Sequence, residues 1–250
     1  MNHRGAHFII CLVALTAATL ASAQTYSGLR QFDGQHKNEI AGNLLGGGNV
    51  ITGVVFGEAC TYTHHFTERW SLSAGEQMQI NKWLWSADVM GTYRIPFRRS
   101  SLYFDGRVVN NFYTPWSTYE FIGNLSTFWE ASHFDVRFGL SFIHYYKYKV
   151  KNEYRAFTDA GYSEPPTLTV GLGVNIMERE HPWNLGIFLR NYDQFYYENW
   201  NINWGVRFHA TLPWQSMKLF GELNVRPAGS LSQLATRYET SLKLGVKHVW

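Results

Sequence analysis

Three things are scarce in this chain of 250 residues, and each scarcity removes a class of protein. There are only 2 cysteines. Cys11 falls inside an N-terminal apolar run, so Cys60 stands alone after it and an intrachain disulfide framework is excluded. Charged residues make up 16% and balance to a net +3, too slight an excess for a nucleic-acid partner. Beyond the first segment no apolar run is long enough for a transmembrane helix.

That first segment has a short basic start at Arg4, an apolar run from Phe8 to Leu20, and small residues Ala21-Ser22-Ala23. It reads as a secretory signal peptide over 1–23, with Gln24 as the mature N-terminus. The run is short for a membrane anchor, and Cys11 lacks the small residues that a lipoprotein site places before its cysteine. Residues 24–36 are polar and read as a periplasmic tail, leaving 37–250 as one domain without a compositional break.

What is abundant is aromatic side chains, 17% of the chain, although mean hydropathy is only −0.25. The apolar residues alternate with polar ones. Phe134, Val136, Phe138, Leu140 and Phe142 share one face, against Asp135, Arg137, Gly139 and Ser141. The same pattern runs through Leu168 to Ile176 and, over a longer stretch, Trp200 to Leu212. Period-two alternation of this length fits tilted strands crossing a bilayer, apolar outside and wet inside. Strands are expected near 37–45, 50–65, 70–80, 83–94, 101–113, 116–129, 133–146, 166–177, 183–193, 200–212, 216–226 and 236–250. That predicts an all-β, antiparallel up-and-down transmembrane β-barrel of about twelve strands, with ten or fourteen as alternatives. Glu58 falls on the lipid side of the second strand, which predicts a bulge or a shifted register there.

Compact links at 67–69, 96–100, 130–133, 178–182 and 213–216 alternate with longer ones such as 147–166 and 227–235. Short periplasmic turns and long outer loops are expected of such barrels, which puts the N-terminus in the periplasm. Two aromatic girdles follow: Phe66, Trp70, Tyr93, Trp129, Phe134, Trp183, Trp214 and Trp250 at one rim, and Tyr113, Trp116, Tyr145, Tyr146, Tyr197 and Trp200 at the other.

The chain stops on a strand with Leu242, Leu244, Val246, His248 and Trp250 on one face. This ending resembles the closing strand of bacterial outer-membrane β-barrels. The resemblance implies that these residues are the sorting signal read by the barrel-assembly machinery, and that the protein lives in the cell outer membrane among phospholipid and lipopolysaccharide. In size the chain is similar to the twelve-stranded small porins for acidic oligosaccharides, with no motif of theirs in common.

The polar faces supply the candidate functional residues. Asp105, Arg107, Asp135, Arg137 and Arg190, together with Asp88, Arg94 and Glu120, are expected to line the lumen. Arg207, Lys218, Glu222, Arg226, Arg237, Glu239, Lys243 and Lys247 join them from the last three strands, where the basic excess concentrates. Paired throughout, these charges would plug a narrow bore. Paired in part around water, they would make a lumen that favours anions. Inward glycines at 139, 171, 173, 205 and 245 leave room for bulky neighbours.

Enzymatic signatures are missing. No histidine is followed two residues later by serine, as in the lipid-cleaving barrels. The Asp-Asp and His-Asp pairs of the omptin proteases do not occur, nor does a Gly-x-Ser-x-Gly elbow; Gly46-Gly47-Gly48 lacks the lysine of a phosphate loop. His64 and His65 point to opposite faces of a strand and cannot chelate one ion together. No cofactor or metal is expected. The residues therefore support a narrow, anion-preferring pore. A closed accessory barrel in a larger outer-membrane complex, hinted at by outward Gly123 and Thr127, is the alternative, and a lipid-modifying enzyme the third.

Overall fold

The computed structural model describes residues 37–49, 53–79, 84–112, 117–148, 161–163, 166–178, 181–191, 203–212, 216–225 and 240–250. The expected signal peptide and tail, and Trp116, Trp200, Trp214, Arg226, Arg237 and Glu239, lie outside the described residues.

Alternating sequence becomes strand wherever it was expected. The strands are β1 (Asn38–Asn49), β2 (Gly53–His65), β3 (Trp70–Gln79), β4 (Leu84–Pro96), β5 (Ser100–Phe112), β6 (Ser117–Glu130) and β7 (Phe134–Tyr148). They continue with β8 (Gly161–Ser163), β9 (Thr167–Asn175), β10 (Trp183–Arg190), β11 (Asn203–Thr211), β12 (Met217–Val225) and β13 (Thr240–Val249). All pairings are antiparallel and join sequence neighbours, except that β9 pairs with β7 and not with β8; β13 pairs with β1 from Glu39↔Val249 to Gly48↔Thr240. The Asn38 N–H donates to the Trp250 carbonyl at 2.9 Å and the Trp250 N–H returns the bond at 3.0 Å. The barrel is closed, so no edge is left to satisfy in lipid.

Thirteen strands make twelve lanes. β8 and β9 both lie on the same side of β7, with His144↔Ser163 following Ser141↔Thr167. Pro166 lies just before β9 and cannot donate to a ladder, so the lane is carried by two pieces. The piece of the 147–166 loop that is described thus extends the wall.

Burial alternates strictly, as in β10, where Asn184, Gly186, Phe188 and Arg190 are buried and the residues between them exposed. The distribution is inside out relative to a protein in water. Ile187 is 61% exposed and Phe138 53%, whereas Arg137 is 3% exposed. Apolar side chains outward and polar ones inward are what a bilayer requires. No helix among the described residues is long and apolar enough to cross a membrane.

The fully described short links, 66–69, 97–99 and 131–133, fall at one rim and are tight. Phe97 N–H bonds the Ser100 carbonyl and Ala131 N–H the Phe134 carbonyl, both at 2.8 Å. The Thr67 hydroxyl accepts from Arg69 and Trp70 N–H at 3.1 Å. Rings gather at this rim: Trp70 sits 4.5 Å from Tyr93, Trp129 4.7 Å from Phe134, and His248 stacks on Trp250 at 5.2 Å. Trp183 packs edge-on against His181.

Two expectations need correction. No bulge forms at Glu58: both ladders run unbroken through Leu44↔Glu58 and Glu58↔Met78, so it keeps its outward parity. Hydrogen bonding on both sides holds the register against the cost of the misplaced acid. Tyr145 does not join the girdle beside Tyr146. The two are adjacent on β7, so only Tyr146 faces out, and Tyr145 packs inward against Val109, Ile122 and Ile143.

Glycines fix the registers of the later strands. Phe188 lies across from Gly205, Phe208 from Gly221 and Phe220 from Gly245. In each pair a Cβ on the glycine would collide with the ring. The ring covers backbone that the glycine leaves bare, a recognised way to stabilise glycine in a sheet.

Candidate functional site

Inward parity is the property that collects the candidate residues. Asp105, Arg107, Asp135, Arg137, Arg190, Arg207, Lys218, Glu222, Lys243 and Lys247 all sit on the face opposite the exposed apolar one. Their pairing decides what that face can do. Arg107 Nε bonds Asp88 at 3.0 Å between β5 and β4. Arg137 reaches Asp105 at 3.7 Å across two lanes, and Arg190 pairs with Glu222, also two lanes away. Lys247 meets Glu39 at 2.6 Å over the β13–β1 seam.

The longest reach is Arg207 on β11 to Asp135 on β7. Two intervening lanes must be crossed, and two glycines clear the way. A Cβ on Gly173 would meet both the Arg207 guanidinium and the Asp135 carboxylate, and one on Gly186 would meet Asn175 Oδ1 at 2.5 Å. Asn175 accepts from Arg207 at 3.1 Å from the side. The arginine therefore lies flat along the wall, over glycine.

Direction matters more here than number. Twelve lanes ~4.8 Å apart and tilted ~40° close a backbone circle roughly 24 Å across. The opposite wall is six lanes away, and no ion pair among the described residues spans more than three. These pairs staple nearby strands together, and none of them bridges the bore.

The acids on this face are all engaged: Glu39, Asp88, Asp105, Asp135 and Glu222 by the cations above, and Glu120 by the Asn111 amide. Asn111 in turn accepts from the Ser86 hydroxyl at 2.6 Å. The cations are in surplus. Arg94 Nε donates to the Ser101 hydroxyl at 2.9 Å. Lys218 has no ion-pair partner among the described residues and stands directly across from Lys247. Lys243 stands across from Glu222. Among the described residues, Arg94 on β4 and Lys218 on β12 form no ion pair. The loop end of β5 to β7 carries a buried apolar cluster of Val109, Ile122 and Ile143.

Sequence reasoning missed Glu39. Its strand alternates Glu39, Ala41, Asn43 and Leu45 against Ile40, Gly42, Leu44 and Gly46, with too little contrast to mark a wet face. The seam supplies the signal: pairing with β13 sets Glu39 beside Lys247. Polar groups such as Gln77 Nε2, Tyr103 Oη and the hydroxyls of Ser126 and Ser141 are buried without a protein hydrogen bond. A lumen satisfied entirely by its own side chains would not leave them so.

Neither a protein-family model nor a curated relative matches the chain. Solved structures do. The KdgM porin in complex with disordered oligogalacturonate superposes with a TM-score of 0.55 at 13% identity, over 85% of this chain and 99% of that one. An outer-membrane channel from Pseudomonas putida F1 gives 0.51 at 9% identity, over 92% and 100%. The fold is that of the small outer-membrane barrels. Within it, Leu242, Leu244 and Val246 of the closing strand face outward, as do His248 and Trp250 at its end.

Proposed function

We propose that this protein is a narrow, anion-preferring pore of the outer membrane, and a channel rather than an enzyme. The observation that carries the reading is the direction of the ion pairs: they run along the wall, and Lys218 on β12 stands across from Lys247 with no ion-pair partner among the described residues. Fixed positive charge on a low-dielectric wall raises the local concentration of anions and repels cations. Lys218 and Lys243, with Lys247 alternating between Glu39 and a passing anion, would form that charged strip. Likeness in fold to a porin seen with oligogalacturonate agrees with an anionic solute. In this reading the short-turn rim faces the periplasm, together with the N-terminus left after signal cleavage.

Single-channel recording in a planar bilayer tests it. The wild-type barrel should conduct steadily and prefer chloride over potassium. Lys218→Glu with Lys243→Glu should cut that preference about tenfold or reverse it. A silent bilayer, with a folded barrel shown by heat-modifiable gel mobility, would overturn the pore.

A further inference from the structure

Three neighbouring strands place their lumen-facing positions in a square, and an aromatic ring stands at its centre. Phe220 on β12 lies between Lys218 and Glu222 on its own strand. Its cross-strand neighbours are His209 on β11 and Gly245 on β13. His209 lies between Arg207 and Thr211, and Gly245 between Lys243 and Lys247. A Cβ on Gly245 would collide with the tip of the Phe220 ring. The ring therefore lies sideways over bare β13 backbone and keeps a face toward the lumen.

Two properties make this square receptive. It is open: Lys218 is exposed, and Arg207, His209, Phe220, Lys243 and Lys247 are half-buried. The inward side chains of β5 from Ser101 to Asn111 are, by contrast, all buried. The square also carries four permanent cations against one acid, and that acid, Glu222, is bonded by Arg190 from β10. Lys218 faces Lys247 directly, and like charges so placed are unfavourable until an anion joins them. Lys243 and Lys247 are roughly 13 Å apart along β13. They bracket the Phe220 ring where it crosses Gly245.

We propose that this square is a binding subsite for a compact, ring-shaped dianion, such as a ring dicarboxylate. The solute's ring rests on Phe220, offset-stacked if aromatic or through its C–H face if saturated. Its anionic groups meet Lys218 and Lys247 at one end and Lys243 at the other. A flexible chain of equal charge meets the same cations, but it loses more freedom on binding and gains less from the ring. The subsite rests on the reading of this lumen as an anion path, and it adds a preference that charge alone does not give.

Calorimetric titration of the purified barrel in detergent tests this without needing a current. The probes are terephthalate, cyclohexane dicarboxylate and adipate, the last an open-chain dianion. At least one ring dianion should bind about fivefold more tightly than adipate. Terephthalate in the lead would assign an aromatic solute, and cyclohexane dicarboxylate a saturated one. Phe220→Leu, checked for folding by heat-modifiable gel mobility, should abolish the ring preference and leave adipate unchanged. Lys218→Gln with Lys247→Gln should weaken all three about tenfold. Equal or absent binding of the three dianions by the wild type would overturn the subsite. So would a ring preference that survives Phe220→Leu, or binding that ignores the lysine variant. If Phe220→Leu does not fold, the wild-type comparison decides alone. In parallel bilayer recordings, an anion-selective barrel without ring preference would lose the subsite and keep the pore. A silent barrel with ring preference would do the reverse.

Discussion

The two halves of this barrel solve the same geometric problem with different materials. From β7 to β13 the outside is bulky and apolar, while inside glycines are spent on contact: Gly173 and Gly186 under Arg207, Gly205 under Phe188, Gly245 under Phe220. From β1 to β6 the inside is crowded with side chains such as Tyr103, Ile122 and Phe128, each at most 5% exposed, while Gly46, Gly91, Gly106 and Gly123 open outward onto empty space. A glycine inside lets a neighbour lie flat; a glycine outside leaves a gap in the apolar surface.

The most severe way to break this comparison is to fill a glycine in each half. Gly205→Leu drives a side chain into the Leu223 carbonyl and the Phe188 ring. It should cost about 3 kcal/mol or more, seen as lost heat-modifiable folding in liposomes. Gly106→Leu, set in open space, should leave folding intact. Equal damage at both positions would erase the distinction.

Next in size, exchanging the chemistry of the outer walls sharpens it. In synthetic bilayers without other proteins, Phe138→Glu should lower stability in a urea titration by about 1–2 kcal/mol. Glu58→Leu should raise it by a comparable amount, because it removes a shielded carboxylate from the face turned to hydrocarbon. A loss of stability on Glu58→Leu would mean that the acid already has a favourable role within the barrel itself.

Inside, Asp135→Asn removes the anchor that lays Arg207 along the wall. The freed guanidinium should raise chloride preference by about twofold in single-channel recording, a smaller change than reversing two lysines. A preference that stays fixed would show that Arg207 does not face the path of the ions. Smallest of all, Lys247→Met at the seam should lower stability by about 1 kcal/mol, measured by the same urea titration. Its lysine is partly exposed to solvent at 28%, so screening limits what the Glu39 pair contributes.

Fold was legible because it depends on one periodicity. A strand such as β10 or β7 declares its parity in every residue, and the short turns at 66–69 and 97–99 punctuate it. The inward charges were legible for the same reason, since parity alone fixes the face of Asp135, Arg207 or Lys243. Partners were not legible. That Arg207 crosses two lanes to Asp135 depends on strand order and on glycines far apart in sequence. Glu39 hid in a strand whose two faces are nearly alike. That β8, inside the expected 147–166 loop, extends the lane of β9 required knowing that both pieces share β7 as a neighbour. Glu58 was visible as an anomaly, but a bulge was the local explanation and an unbroken ladder is the observed one.

The ring-over-glycine pairs carry one more consequence. Phe188 with Gly205, Phe208 with Gly221 and Phe220 with Gly245 link β10, β11, β12 and β13 in succession. Sliding β11 by two residues against β10 keeps every side chain on its proper face, so hydrophobicity alone would tolerate the mistake. The slide would, however, bring Phe188 against Arg207 or Asn203 instead of Gly205. Each pair works as a tooth in a ratchet, admitting the next strand at one offset and rejecting offsets that parity would pass. Fidelity in closing the barrel is therefore written into three bare backbone positions, and it is checked one strand at a time.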